Sequence, residues 1–201
     1  MDASYTITGI SPLLLHSGQA IDPLNHYAKE MKRVSKKRHK TDEDQAIIGR
    51  VEWFMSIYHD GTVDELADGE IKVDPNARIV IPAPSLEAMI VAGGKKLKLG
   101  NQVKSGVIVE NDAQLMYEGQ KNINELHAAG KHVHRVPARV GTARVMRTRP
   151  IFRVWSVNVS ITHDESVLDE SELFSILKAA GQLVGIGDWR PRFGRFTVER
   201  N

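Results

Sequence analysis

The stretch Gly185-Ile186-Gly187-Asp188-Trp189-Arg190-Pro191-Arg192-Phe193-Gly194-Arg195-Phe196 sets three glycines and three arginines between an amphipathic run and a closing strand. Leu173, Ile176, Leu177, Ala180, Leu183 and Val184 recur at helical spacing, and Gly185 follows them as a helix stop. Gly187 and Gly194 can take positive φ or admit another backbone at contact distance. Arg190, Arg192 and Arg195 carry planar, permanently charged forks suited to phosphate, with Trp189 and Phe193 beside them as stacking surfaces. The loop therefore suits a polyanion. The plainer alternative is a glycine-rich turn with core aromatics and solvated arginines.

Working outward, Asp169 and Glu172 form the signature of a capping box that starts the last helix. Before it, residues 151 to 161 alternate as a strand, with Ile151, Trp155, Val157, Val159 and Ile161 on one face and Phe152, Ser156, Asn158 and Ser160 on the other. The chain's last unit thus reads strand, helix, strand (151 to 161, 170 to 184, 195 to 200). Its first unit reads the same way, as a strand at 4 to 10, helical pattern over 26 to 58, and a short strand at 78 to 82. Two such units interleaved predict an α+β, ferredoxin-like antiparallel sheet with helices on one face and the other free to bind. The expected organisation is a single domain over residues 1 to 201, with an Arg-rich insertion at 99 to 150 between the halves.

Within the first helical stretch the basic run Lys29, Lys32, Arg33, Lys36, Lys37, Arg38 and Lys40 meets only Glu30. It reads either as a nucleic-acid contact through Lys36 and Lys37 or as a solvated helix end whose cations suit the dipole. Thr41 then caps a helix opening on Asp42, Glu43 and Asp44. Ser85 is the expected cap of a further helix. Gly93 and Gly94 in that helix mark close packing or an early end.

Lys plus Arg number 27 against 25 Asp plus Glu, so net charge alone announces no polyanion partner. Distribution says more. Arg135, Arg139, Arg144, Arg147, Arg149 and Arg153 fall in an acid-free segment, while Asp60, Asp64, Glu65, Asp68, Glu70 and Asp74 cluster elsewhere. No cysteine occurs, which excludes disulfides and thiolate chemistry and suits a reducing compartment. The opening residues lack a signal-peptide pattern, and no apolar run approaches bilayer length, so the expected setting is soluble and cytoplasmic, with no membrane partner.

A helix running into Gly-x-Gly and then an aromatic-Gly-Arg-aromatic entry to the last strand (Phe193-Gly194-Arg195-Phe196) resembles the glycine-rich loop of RAMP proteins, the RNA-binding subunits of CRISPR effector complexes. The backbone subunits that polymerise along guide RNA are the most similar among them. The segments Pro12 to Gly18, Arg144 to Phe152 and Gly185 to Phe196 are also similar to uncharacterised phage and prophage proteins. The resemblance implies single-stranded RNA or DNA held on the open sheet face and under the insertion, with copies stacked head to tail. The candidate contacts are Arg139, Arg144, Arg147, Arg149, Phe152, Arg153, Gly185, Gly187, Trp189, Arg190, Arg192, Phe193, Gly194, Arg195, Lys36 and Lys37. Trp155 shares a face with Val157 and Val159 and reads as core.

His16, in the loop after the first strand, sits roughly where RAMP nucleases place an acid–base histidine, with Lys29 or Arg195 to supply a cation. A metal-independent endoribonuclease is accordingly the second expectation, and an assembly protein docking on an acidic surface the third. His127, His132 and His134 lack the spacing of a zinc site, and His59-Asp60 and His163-Asp164 lie at element ends. No Gly-x-x-x-x-Gly-Lys-Ser/Thr motif occurs. No metal or other cofactor is expected, and a non-enzymatic binder is favoured.

Overall fold

The computed structural model describes residues 1–64 and 72–201. Its helices and antiparallel sheets make it an α+β protein, and the chain divides into two compact units. Residues 1–14, 80–118 and 152–201 form the first, and residues 15–79 and 119–151 the second.

The first unit is built on a sheet in which β1 (Asp2–Gly9) lies between β12 (Phe196–Arg200) and β11 (Trp155–His163), with β6 (Val107–Ile108) beyond β11. Every pairing in the order β12-β1-β11-β6 is antiparallel, and Ile7 sits opposite both Val157 and Val198. That register puts Tyr5, Ile7, Val157, Val159, Ile161, Phe196 and Val198 on one buried face, as strand alternation requires. Against one another pack α3 (Ala83–Lys96) and α6 (Glu170–Leu183), whose buried residues include Leu86, Met89 and Ile90 and Leu173, Ile176 and Leu177. Short elements complete the unit: β2 (Leu13–Leu14), β5 (Val80–Ile81) paired with β7 (Ala113–Gln114), α4 (Gly100–Gly106), and β8 (Met116–Tyr117) beside β11.

The second unit holds α1 (His26–Ser35), α2 (Asp42–Met55), β3 (Val63–Asp64) paired with β4 (Lys72–Val73), and α5 (Ile123–Ala128). Its hairpin joins β9 (Val133–Val140) to β10 (Ala143–Phe152), the last residue of β10 falling in the first unit. The core gathers Tyr27, Val34, Val51, Trp53, Phe54, Ile57, Leu126 and Ile151.

Local expectations meet the structure unevenly. Both expected caps form, Asp169 with Glu172 as the predicted capping box and Thr41 with Asp44 as a second one. By contrast, α3 starts two residues before Ser85, because the Asp112 carboxylate accepts the Ala83 N–H at 2.9 Å and replaces a local cap. The glycines of α3 mark packing: a Cβ on Gly93 would lie 2.7 Å from Ala180 Cβ and 2.8 Å from the Ile176 carbonyl of α6. The predicted first unit needs correcting. Helical residues 26 to 58 form two helices of the second unit, and the strand near 80 pairs with β7 outside the main sheet. In their place, α3 and β6 accompany β1. The strand predicted over 151 to 161 is broken by a bend at Arg153 and Val154, which separates β10 from β11.

Candidate nucleic-acid interface

In the first unit α6 ends where Gly185, at φ 76°, donates its N–H to the Ala180 carbonyl at 2.8 Å. Gly187 and Gly194 adopt φ 82° and 73°, the left-handed region that a side chain disfavours. A Cβ on Gly187 would collide with the Leu14 carbonyl, and one on Gly194 with that of Ile186. These glycines let the loop fold onto residues 10 to 14. There Asp188 N–H donates to Leu14 O and Gly194 N–H to Pro12 O, each at 2.8 Å, and Arg195 N–H to Ser11 Oγ at 2.9 Å. Because Ile186 N–H also donates to Gly194 O at 2.9 Å, much of the loop backbone is committed internally. What the loop presents outward is side chains.

Arg190, Arg192 and Arg195 are exposed, and among the described residues none lies within ion-pair distance of a carboxylate. Trp189 is 37% exposed and held at φ 51°, its ring centroid 6.1 Å from that of half-buried Phe193. A left-handed conformation is uncommon for an aromatic residue and concentrates at functional sites. Arg190 also borders a groove of about 470 Å³ with Lys95 and Lys96 of the last turn of α3. Arg153 is exposed, whereas Phe152 is fully buried with its ring 5.0 Å from Tyr117. A ring with no accessible face cannot stack a base, so Phe152 belongs to the core, as does Trp155.

The sheet face away from the helices carries Ser4, Thr6, Thr8, Ser156, Asn158, Ser160, Thr197 and Glu199. Among the described residues of β1, β11 and β12 it holds neither an aromatic ring nor a cation. Arg200, opposite Tyr5, turns to the other side and lies 4.5 Å from the Phe174 ring centroid. That face lacks the stacking and charge that a strand-binding sheet supplies.

In the second unit the β9–β10 register places Arg139 directly opposite Arg144, Pro137 opposite Met146, and Arg135 opposite Thr148. Direct partners share a face, so Arg135, Arg139 and Arg144 line one side of the hairpin around Met146, which is 45% exposed. These three arginines are exposed and, among the described residues, make no ion pair. Arg139 Nε donates to the Gly141 carbonyl at 3.0 Å.

Arg147 and Arg149 lie on the other side. Arg147 Nη1 is 2.5 Å from Glu52 Oε1, and Glu52 Oε2 accepts the Thr148 N–H at 2.9 Å. This guanidinium neutralises a buried carboxylate and is only secondarily available to a ligand. Lys37 is similarly engaged, 2.6 Å from Asp44, and its ammonium is the first cause holding that carboxyl below its ordinary range. Lys36 is exposed at the end of α1. Of the acidic cluster, Asp60 pairs with Arg78 at 2.7 Å, while Glu65, Asp68 and Glu70 lie outside the described residues.

His16 is exposed, with Nδ1 3.4 Å from Ser56 Oγ, while the Ser56 hydroxyl donates to the Glu52 carbonyl at 2.7 Å. His127 packs at 5.0 Å from Trp53 and 5.2 Å from Phe54, and burial first, then Arg50, pushes its pKa down. His132 Nδ1 meets the Ile151 carbonyl at 2.9 Å. Among the described residues no group of three His, Asp or Glu side chains is placed to hold a metal ion. No helix among them is long and apolar enough to cross a membrane.

Glu52 is the functional-looking residue that sequence reading passed over. It stands four residues after Ile48 and two before Phe54, an acid on the inward stripe of α2, and such an acid requires a cationic or N–H partner elsewhere. No protein-family model matches the chain, and no curated protein matches it.

Proposed function

We propose that the protein binds single-stranded nucleic acid with little sequence preference, and that several copies engage one strand. The observation that carries the reading is the Arg139–Arg144 pair. Like charges directly opposite in a hairpin are destabilising, and a phosphate backbone laid across them converts that repulsion into two charge-assisted contacts. The exposed arginines of the 185–196 loop, with Trp189 beside them, offer a second surface of the same chemistry.

The sheet order β12-β1-β11-β6, with α3 and α6 packed together, supports a ferredoxin-like reading of the first unit. In that reading residues 15–79 and 119–151 interrupt the fold. The hydroxyl-rich outer sheet face argues for binding at the loop and the hairpin rather than on the sheet. Absence of cysteine suits a reducing cytoplasm.

Fluorescence anisotropy with a labelled homopolymer oligonucleotide, RNA and DNA in turn, tests the proposal. Binding should be saturable, with the oligonucleotide recovered intact from the wild-type protein and from His16→Ala alike. Cleavage by the wild type that disappears in the variant would replace the binder by a nuclease. An absence of binding to either polymer at low salt would remove the proposal.

A further inference from the structure

The chain holds three tryptophans, and two of them belong to the core. Trp53 and Trp155 are 0% and 2% exposed, and their indole N–H groups donate to the His132 carbonyl at 2.8 Å and the Ser11 carbonyl at 2.9 Å. Trp189 stands apart. It is 37% exposed and takes φ 51°, a conformation that a Cβ disfavours. Glycine, which the same loop uses at 187 and 194 for that conformation, would fit there without strain. Neither burial nor backbone preference therefore accounts for a tryptophan at this position. A large ring kept at the surface against its own backbone preference is a ring with a use.

Its surroundings narrow that use. Arg190, Arg192 and Arg195 follow it in the loop and are exposed. Arg190 also borders the groove of about 470 Å³ where the C-terminal ends of α3 and α6 meet, with Leu183 and Pro191 as apolar wall and Lys95 and Lys96 as exposed cations. Cations in the last turn of a helix suit its dipole, which is reason enough for Lys95 and Lys96 but supplies none for Trp189. An aromatic platform beside a line of cations is how single strands are held without sequence readout, the ring stacking on a base while the cations follow the phosphates. A duplex, whose bases already stack on one another, or a polyanion without bases would satisfy the cations and leave the ring unused.

We propose that Trp189 stacks on a base of the bound strand, and that the phosphates beside that base run from Arg190 into the groove at Lys95 and Lys96. The substrate class is then a strand with unstacked bases rather than polyanions in general. The inference rests on the nucleic-acid reading and adds to it two cations of α3 that sequence reading did not single out.

Anisotropy of a labelled adenylate oligomer and of an abasic oligomer of equal length and backbone, RNA and DNA in turn, tests it alongside intrinsic tryptophan fluorescence. The proteins compared are wild type, Trp189→Phe, Trp189→Leu and the double variant Lys95→Gln with Lys96→Gln. The abasic oligomer carries the same phosphates and no bases, so wild type should bind it at least about fivefold more weakly, the worth of stacking on one base. Adenylate should quench the tryptophan emission, since Trp189 is the one accessible indole, and the abasic oligomer should leave it unchanged. Trp189→Leu should bring adenylate affinity down to the abasic level without altering abasic affinity, while Trp189→Phe, which keeps a ring, should retain most of the difference. The double variant should bind both oligomers more weakly and flatten the salt dependence by about one unit. Equal wild-type affinity for the two oligomers overturns the stacking, and this comparison needs no variant to fold. Trp189→Leu binding as wild type, or losing both oligomers alike, overturns it too. Each of these outcomes leaves the nucleic-acid reading intact. An unaltered salt dependence in the double variant overturns the phosphate path. No binding of any oligomer at low salt removes the nucleic-acid reading and this inference together.

Discussion

Glu52 shows how one side chain can decide which of its neighbours are available to a ligand. Its side chain is 5% exposed and is met by Arg147 and by the Thr148 N–H, so the carboxylate and the guanidinium stabilise each other and fix β10 beside α2. Truncation leaves Arg147 without its anion and a strand N–H without its acceptor. Glu52→Ala should therefore lower stability by about 2–3 kcal/mol, near the upper range for hydrogen bonds to a charged group, because Arg147 is 37% exposed and can partly resolvate. Chemical denaturation followed by tryptophan fluorescence measures this, and a change below 0.5 kcal/mol would show that the pair is dispensable. At the same scale, sequence disclosed the positive φ of Gly187 and Gly194 and the core role of Trp155, because each follows from local pattern. It disclosed neither the burial of Phe152 nor the engagement of Arg147. Both are set by residues far along the chain, Tyr117 and Glu52, whose approach no local periodicity encodes.

Among the elements, the β9–β10 hairpin carries a conflict between stability and binding. Replacing Arg144 by Glu turns a like-charge cross-strand pair with Arg139 into an opposite-charge one. Hairpin stability should rise by about 0.2–1 kcal/mol, while affinity for single strands falls several-fold. Reversal at Lys36 should weaken binding less, since that residue ends a helix whose dipole already favours a cation. Stability and affinity that fall together in Arg144→Glu would mean that the arginine pair is structural.

The α2–α5 contact gives a pH prediction. His127 lies against Trp53 and Phe54, and burial depresses its pKa below the ordinary 6.5. The unfolded chain then takes up a proton that the folded chain resists as pH falls below about 6.5. Stability contributed by the neutral ring is full well above that value and is lost progressively as pH falls through it toward the lower pKa of the folded ring. His59, also depressed first by burial, adds in the same sense. Denaturation midpoints should decline over this range, and His127→Phe should reduce the decline. A wild-type midpoint that rises on acidification would contradict the assignment. The caps of α2 and α6 were legible in sequence because they are built from neighbours. The cap of α3 was not, because Asp112 supplies it from a distance.

For the whole molecule, α+β content and the terminal strands of the main sheet were legible from alternation in residues 4 to 10, 155 to 161 and 196 to 199. The division into two units was not. The sequence of α1 is amphipathic and that of α2 is rich in apolar residues, and either pattern says that a face is buried without saying against what. If affinity comes from a few phosphates per copy, useful occupancy requires neighbours on the same strand, and complexes should grow with oligonucleotide length. Light scattering across a length series measures this, and one protein per oligonucleotide at every length would refute assembly while leaving simple binding.

The central claim, that exposed arginines of the hairpin and the 185–196 loop meet phosphates, is tested most directly by the salt dependence of affinity for a homopolymer single strand. Each neutralised phosphate releases counterions, so if three to five of these cations engage, the logarithm of the binding constant should fall against the logarithm of salt with a slope of about −2 to −3.5. Arg139→Glu with Arg144→Glu should flatten that slope by one unit or more. A binding constant independent of salt, or an unaltered slope in the doubly reversed protein, would contradict the account.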